Sequence, residues 1–175
     1  MRAAWILLLL ALAGCRPPSF PYALRPAATG PVYFATQEVV FHLPGGDTQR
    51  VLTTVENDGK RLSIVASSPM GQTLFILASV NGEVTLDARV PLPRQFDPRI
   101  LPILIQLCDW PLIEARKGLP PGAELLESGS VRTLTRKGKP FLILDRQGAA
   151  PPYRTISFKL PSMRLNADIT TLDDQ

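Results

Sequence analysis

The 175-residue sequence has few of the residues from which catalytic and metal sites are built. It contains 2 Cys and 1 His, too few for a metal cluster of Cys and His ligands. Cys108 and His42 are remote from each other in sequence, which disfavours a catalytic Cys-His pair. No glycine-rich loop ends in Lys-Ser or Lys-Thr, and no Gly-x-Ser-x-Gly elbow is present. We therefore expect no enzymatic activity, no metal and no resident cofactor.

Charge is also sparse, because Asp, Glu, Lys and Arg make up 19% of the chain and the formal net charge is +4. No basic run is longer than the two residues of Arg136-Lys137, so we expect no nucleic-acid partner. Hydrophobic residues make up 45%, enough for a folded core. The 18 Pro are scattered at about twice their average usage, which excludes a bundle of long helices.

The longest apolar run, Ala3 to Ala13, is too short for a membrane-spanning helix, which needs ~20 residues. With Arg2 before it, this run is typical of a signal peptide. It ends in Leu12-Ala13-Gly14-Cys15, which resembles a bacterial lipobox. The resemblance implies that residues 1–14 are removed and that Cys15 carries diacylglycerol and an N-linked acyl chain. Arg16 replaces the aspartate that retains such proteins at the inner membrane, so we expect an outer-membrane anchor facing the periplasm.

The mature chain is predicted to divide into a tether and one domain. Residues 15–30 are proline-rich and are interpreted as a lipidated, extended tether. Residues 31–175 are predicted to form a single domain. Within it, Cys108 is interpreted as a small buried hydrophobe and Asp109 as a helix-end group.

Alternating apolar residues and turn signals predict an antiparallel meander of about nine strands, interrupted by one apolar helical pair. Asn81-Gly82 is the strongest hairpin signal. The predicted strands are 32–43, 48–55, 61–67, 73–80, 83–90, 130–137, 140–147, 153–160 and a last one through Met163, Leu165, Ala167 and Ile169. The predicted helices are 100–110 and 111–117, and they are placed to cover the sheet as a lid.

Two interpretations of the apolar face beneath this lid stay open at this point. The face forms either a filled core, which is the default, or a cavity for an apolar ligand. Periodicity in the sequence does not separate them.

The order of these features resembles the LolB outer-membrane lipoproteins and their relatives, some of which are encoded beside aryl polyene pigment genes. The resemblance rests on the lipobox, the meander, the loop Ser68-Pro69-Met70-Gly71-Gln72-Thr73, Asn81-Gly82, and an apolar helix followed by Trp110-Pro111-Leu112. It implies a mainly β (α+β) fold, a half-open antiparallel β-barrel with a short helical lid. It also implies a cavity for the acyl chains of a lipoprotein, received from a LolA-like periplasmic carrier and inserted into the inner leaflet of the outer membrane.

The resemblance also assigns candidate site residues. Met70, between Pro69 and Gly71, matches the protruding loop leucine of LolB that acts in membrane insertion. The residues expected to line an acyl-chain cavity are Leu74, Ile76, Leu86, Leu101, Leu104, Ile105, Trp110 and Phe158. We expect a monomer. Two alternatives stay open, a non-catalytic scaffold of the envelope and a transport factor for an aryl polyene lipid.

Overall fold

The computed structural model describes residues 21–43, 46–92, 96–161 and 165–172. Within these ranges, the α-helices are α1 (Ile100–Asp109) and α2 (Leu112–Lys117), and a 3-10 turn spans Ala27–Thr29. The ten strands are β1 (Tyr33–His42), β2 (Thr48–Asn57), β3 (Leu62–Ser67), β4 (Thr73–Val80), β5 (Glu83–Ala88), β6 (Ala123–Ser128), β7 (Val131–Arg136), β8 (Lys139–Gln147), β9 (Thr155–Leu160) and β10 (Leu165–Leu172). The predicted signal peptide and Cys15 lie outside the described residues.

All ten strands belong to one antiparallel sheet, in the order β5-β4-β3-β2-β1-β10-β9-β8-β7-β6. The first strand pairs with the last, so that Val39 lies opposite Ile169. The strands that flank the helical insertion in sequence, β5 and β6, form the two edges, and the sheet does not close. The predicted fold class is confirmed as a mainly β structure with an open antiparallel sheet and a short helical pair.

The sheet is concave. In the strand order, β4 and β8 are separated by six strand spacings, a distance of roughly 29 Å in a flat sheet at ~4.8 Å per spacing. Leu74 on β4 and Leu144 on β8 nevertheless border the same cavity. The two halves of the sheet therefore curve toward each other.

The hairpin predicted at Asn81-Gly82 is confirmed. Val80 pairs with Glu83, which leaves a two-residue turn between β4 and β5. Both turn residues have positive φ, 51° at Asn81 and 86° at Gly82. These values are typical of the turn that matches the twist of an antiparallel hairpin.

One strand, β6, lies outside the predicted set. Its sequence, AELLES, is rich in residues that favour helices. Only Leu125 of this edge strand is buried, so no alternating pattern marks it in the sequence.

The helix α1 begins at Ile100 despite Pro102. Proline at the third position is tolerated because the N–H groups of the first turn have no partner within the helix. Ile103 and Leu107 of α1 are buried in the main hydrophobic core. This packing fixes the helix over the sheet.

The segment Tyr22–Gly30, here called the N-terminal strap, packs against the domain, which corrects the predicted extended tether over these residues. Residues 15–20 of that tether lie outside the described part of the chain. Tyr22, Leu24 and Ala27 of the strap are buried. These apolar side chains, spaced among prolines, are the signal in the sequence that the linker interpretation overlooked.

Hydrogen bonds tie the strap to the helices. The amide of Ala23 donates to the Gly118 carbonyl at 2.8 Å. The amide of Arg25 donates to Gln106 Oε1 at 2.8 Å, and Gln106 Nε2 donates back to the Arg25 carbonyl at 2.9 Å. Because the described residues contain the whole sheet and both helices around one core, we expect residues 21–175 to fold without the first twenty.

Candidate functional site

An apolar cavity of about 190 Å³, partly open to solvent, lies between α1 and the concave face of the sheet. It is somewhat larger than the roughly 150 Å³ apolar cavity that holds benzene in another protein. Strands β1 to β4 and β8 to β10 contribute to its wall. The helix contributes Leu101, Leu104, Ile105, Cys108 and Asp109, which recur at the spacing of one helix face.

The two ends of this cavity differ in chemistry. At one end, the Tyr33 hydroxyl donates a hydrogen bond to Oδ2 of Asp109, the last residue of α1. We call this the polar end. Toward the other end, Phe41 and Phe75 pack against one small apolar cluster, and the Phe75 ring lies 6.0 Å from the Phe96 ring between centroids. We call this the aromatic end.

Five of the eight predicted lining residues border the cavity. These are Leu74, Leu101, Leu104, Ile105 and Phe158. The binding of acyl chains by these residues stays a prediction.

The prediction is wrong for Ile76, which is exposed on the outer face of β4. The register between β3 and β4 shifts, because Ala66 pairs with Phe75 while Ser67 pairs with Thr73. The extra residue, Leu74, forms a bulge, and both Leu74 and Phe75 border the cavity. From Ile76 onward, each residue of β4 therefore lies on the face of the sheet opposite to the one that simple alternation predicts.

Leu86 and Trp110 also lie away from the cavity. Leu86 is on β5, the edge strand beyond the cavity wall, where it pairs with Leu77. Trp110 does not lie on the helix face that lines the cavity, because α1 ends at Asp109 and the backbone of Trp110 is extended. Its buried indole Nε1 donates to Thr29 Oγ1 at 3.1 Å, so Trp110 holds the N-terminal strap.

Met70 lies at the tip of the turn between β3 and β4, and 84% of its surface is exposed. The turn is closed by hydrogen bonds from the Ser68 amide to the Gln72 carbonyl and from the Gly71 amide to the Ser68 carbonyl, both at 2.8 Å. Gly71 has a φ of 81°, which favours glycine. Because β4 enters the cavity wall directly after this turn, at Leu74, the turn holds Met70 outward near the aromatic end.

Two buried arginines hold the C-terminal end of α1, a feature that the sequence analysis missed. Arg132 Nη1 donates to the carbonyls of Leu107 at 3.0 Å and Trp110 at 2.7 Å, and Arg146 Nη1 donates to that of Cys108 at 3.0 Å. The last carbonyls of a helix have no partner within it and carry partial negative charge, so cations stabilise them. The signal in the sequence is that buried and exposed residues alternate along β7 and β8, and that both arginines fall at inward-facing positions of this pattern.

Glu127 joins these two arginines. Its Oε2 accepts from Arg132 Nε at 2.5 Å and from Arg146 Nη2 at 2.8 Å. Burial raises the pKa of Glu127, but the two hydrogen bonds and charges outweigh it, so the pKa lies below its usual value. The carboxylate is therefore ionised near neutral pH.

The titratable groups at the polar end are buried. Burial raises the pKa of Asp109, although the hydrogen bonds from Tyr33 and Cys108 and the nearby arginine charges act in the opposite direction. Burial and the Asp109 carboxylate also raise the pKa of Tyr33 and of Cys108. The Cys108 thiol is thus protonated, while His42 lies on the exposed surface with Nε2 2.7 Å from Asp168 Oδ2. Within the described ranges, no group of three or more His, Cys, Asp or Glu residues is arranged to hold a metal ion.

No helix within the described residues has both the length and the apolar content that a membrane crossing requires.

The fold and the cavity define a class of protein, an open antiparallel sheet that wraps an apolar cavity beneath a short helix. The model of one protein family matches residues 35–173, and the chain belongs to that family, which is described as "Protein of unknown function (DUF3261)". A comparison with curated proteins found no match.

Comparison with solved structures found a similar fold in a crystal structure from Vibrio parahaemolyticus, described as an outer membrane lipoprotein-sorting protein domain. The two chains are 11% identical, with a TM-score of 0.43, and the match covers 80% of this chain and 83% of that chain. At this identity and TM-score, the similarity says nothing about the function of this chain.

Proposed function

We propose that this protein is an envelope lipoprotein that holds acyl chains in the cavity and passes them to the outer membrane, without catalysis or a cofactor. The apolar cavity beneath α1 is the observation that carries the proposal, because an apolar, partly open cavity suits a hydrocarbon chain. The LolB resemblance supports a LolA-like carrier as the donor. It also supports an anchor at Cys15 that keeps the domain at the periplasmic face of the membrane.

The energetics of acyl chains favour transfer by exchange. A 16-carbon chain gains about 12 kcal/mol on leaving water, at ~0.8 kcal/mol per methylene. Transfer of the chain back into water would cost this free energy, whereas its movement from one apolar environment to another costs little. A cavity that opens beside a bilayer therefore needs no nucleotide hydrolysis.

The helix α1 is the element that we expect to move. The cavity volume accommodates little more than a benzene-sized group, so a full acyl chain requires outward displacement of the helix. The C-terminal end is held by Arg132, Arg146 and the N-terminal strap. At the N-terminal end, no described side chain caps the first amides of α1, and Arg99 Nη2 donates one hydrogen bond to the Tyr22 carbonyl at 3.3 Å. We therefore expect the N-terminal end to swing outward, at the aromatic end of the cavity, while the C-terminal end stays in place.

Met70 is the residue that we expect to meet the bilayer. Its turn lies near the aromatic end, where the cavity would open, and its exposed side chain is apolar and flexible. Insertion of this side chain would bring the cavity and the bilayer together.

The proposal is tested by the lipid content of the domain. Residues 21–175, exported to the periplasm behind a cleavable signal peptide and purified without detergent, are analysed by native mass spectrometry. We expect bound species with the masses of acyl-chain lipids, and fragmentation identifies the cargo, including a polyene lipid. A domain without bound lipid that also takes up no added fatty acid would instead act as a scaffold.

The anchor is tested separately with the full chain. Metabolic labelling with an alkynyl fatty acid should label the wild-type protein and not Cys15→Ser, which should accumulate as an uncut or mislocalised precursor. Labelling that persists in Cys15→Ser would show that another residue accepts the lipid.

A further inference from the structure

Three positive charges lie together at one hairpin of the sheet. Arg136, the last residue of β7, pairs with Lys139, the first residue of β8, which leaves a two-residue turn. Both turn residues have positive φ, 50° at Lys137 and 73° at Gly138, and the Lys137 amide donates to the Gly122 carbonyl at 3.0 Å. This short, hydrogen-bonded turn holds the three cations close together. We call Arg136, Lys137 and Lys139 the basic turn.

The charges of the basic turn are exposed. None of its three side chains forms an ion pair with a described residue. On the neighbouring strand β6, Glu124 is exposed and lies opposite Thr135. One negative charge therefore accompanies three positive charges, and the turn keeps a net positive charge that a partner can contact.

The basic turn lies at the same end of the sheet as Met70. Because neighbouring strands are antiparallel, β1, β3, β7 and β9 all run toward the aromatic end. Met70 is in the turn after β3, and the basic turn follows β7. Between β3 and β8 lie β2, β1, β10 and β9, so the two turns belong to opposite arms of the concave sheet. An exposed apolar tip and a cationic tip therefore flank the aromatic end of the cavity.

We propose that the basic turn docks on the anionic headgroups of a lipid bilayer and thereby turns the aromatic end of the cavity toward the membrane. Anionic lipid surfaces attract Lys and Arg side chains that lie close to them. A bilayer fits better than an acidic protein surface, because Met70 at the same end offers an exposed apolar side chain that hydrocarbon can accept. Two contacts on either side of the cavity fix its orientation, which one tip alone does not. The inference rests on the proposed function for a nearby membrane, and it adds the surface that recognises the charge of that membrane.

The test measures binding of residues 21–175 to sedimented vesicles, made of phosphatidylcholine alone or of equal parts of phosphatidylcholine and phosphatidylglycerol. We expect wild-type protein to bind the mixed vesicles more tightly, and high salt to weaken this binding by screening the charges. The double variant Lys137→Asn and Lys139→Gln should bind the mixed vesicles about 25-fold more weakly, at about fivefold for each cation. Asparagine tolerates the positive φ of position 137, so the turn should be kept.

The matched control is the double variant Lys60→Gln and Arg61→Gln. It removes the same charge from exposed positions at the turn between β2 and β3, at the opposite end of the sheet, and should bind like wild type. Circular dichroism confirms that each variant is folded, and the comparison of the two vesicle types with wild-type protein decides the question even if a variant is not.

Equal binding of wild-type protein to both kinds of vesicle would overturn the inference, and so would equal weakening in the two double variants, which would show an effect of net charge alone. No binding to the mixed vesicles would also overturn it and leave the basic turn to an acidic protein partner. None of these outcomes affects the uptake of fatty acids by the cavity. Conversely, a domain that binds the mixed vesicles and takes up no fatty acid would remove the proposed function and not the docking surface.

Discussion

The indole ring of Trp110 occupies the space that a side chain at Gly30 would need. A Cβ atom built on Gly30 would lie 2.2 Å from Trp110 Cε2, well inside van der Waals contact. The backbone of Gly30 is extended, with φ −105° and ψ 173°, so other residues could adopt it. The glycine is therefore required by the close approach of the ring and not by its conformation.

Gly30→Ala should destabilise the domain by about 1–3 kcal/mol through overpacking against Trp110. For a domain of this size, that corresponds to a fall in Tm of roughly 3–10 °C. Circular dichroism measures the unfolding, and Ala28→Val, at an exposed position of the same strap, serves as the control. A Tm for Gly30→Ala equal to that of Ala28→Val would show that the strap accommodates the added methyl group without loss of stability.

Glu127→Gln should destabilise the domain by about 2 kcal/mol, because it leaves Arg132 and Arg146 buried without a carboxylate. The value lies below that for a fully buried ion pair, because Glu127 is partly exposed and solvent screens its charge. Glu124→Gln, on the same strand and exposed, is the matched control and should change little. Urea unfolding at neutral pH gives both values.

The same pair of proteins has an expected pH dependence. The pKa of Glu127 is lowered in the folded protein from 4.5, so its contribution is fully present above that pH. The contribution is lost as the pH falls through the folded-state pKa, where the folded carboxylate becomes protonated. The stability difference between wild type and Glu127→Gln should therefore shrink below about pH 4.5. A difference that stayed constant from pH 7 to pH 3 would contradict the assigned network.

The sequence predicts most of the sheet, since strand alternation and the Asn81-Gly82 turn depend on local residues. It does not predict the face on which Ile76 lies, because the bulge at Leu74 arises from the pairing between β3 and β4. It also does not place Trp110, whose partner Thr29 is 81 residues away in the chain.

The polar end of the site could have been predicted in part. Asp109 falls at the eighth position after Leu101, on the same helix face as Leu104, Ile105 and Cys108. Its pairing with Tyr33, however, depends on how α1 lies across β1, which no local pattern specifies.

Met70→Glu should impair transfer of an acylated cargo from a LolA-like carrier to liposomes, because a charge at the tip opposes entry into the bilayer. Met70→Leu should preserve transfer, since the two side chains are similar in volume and both are apolar. Ile113→Glu is the control, an exposed apolar residue on α2, beyond the opposite end of α1. Circular dichroism confirms that each variant is folded. Equal transfer rates for wild type and Met70→Glu would leave Met70 as an ordinary turn residue.

The most direct test of the account is saturable binding of a fluorescent fatty acid by residues 21–175. We expect the wild-type domain to bind, and Leu104→Asp to bind at least tenfold more weakly, because a charge in the apolar cavity is costly. Ile113→Asp, which places the same charge on the exposed surface, should bind like wild type. No saturable binding by the wild-type domain, or equal affinities for wild type and Leu104→Asp, would contradict the claim that the cavity holds acyl chains.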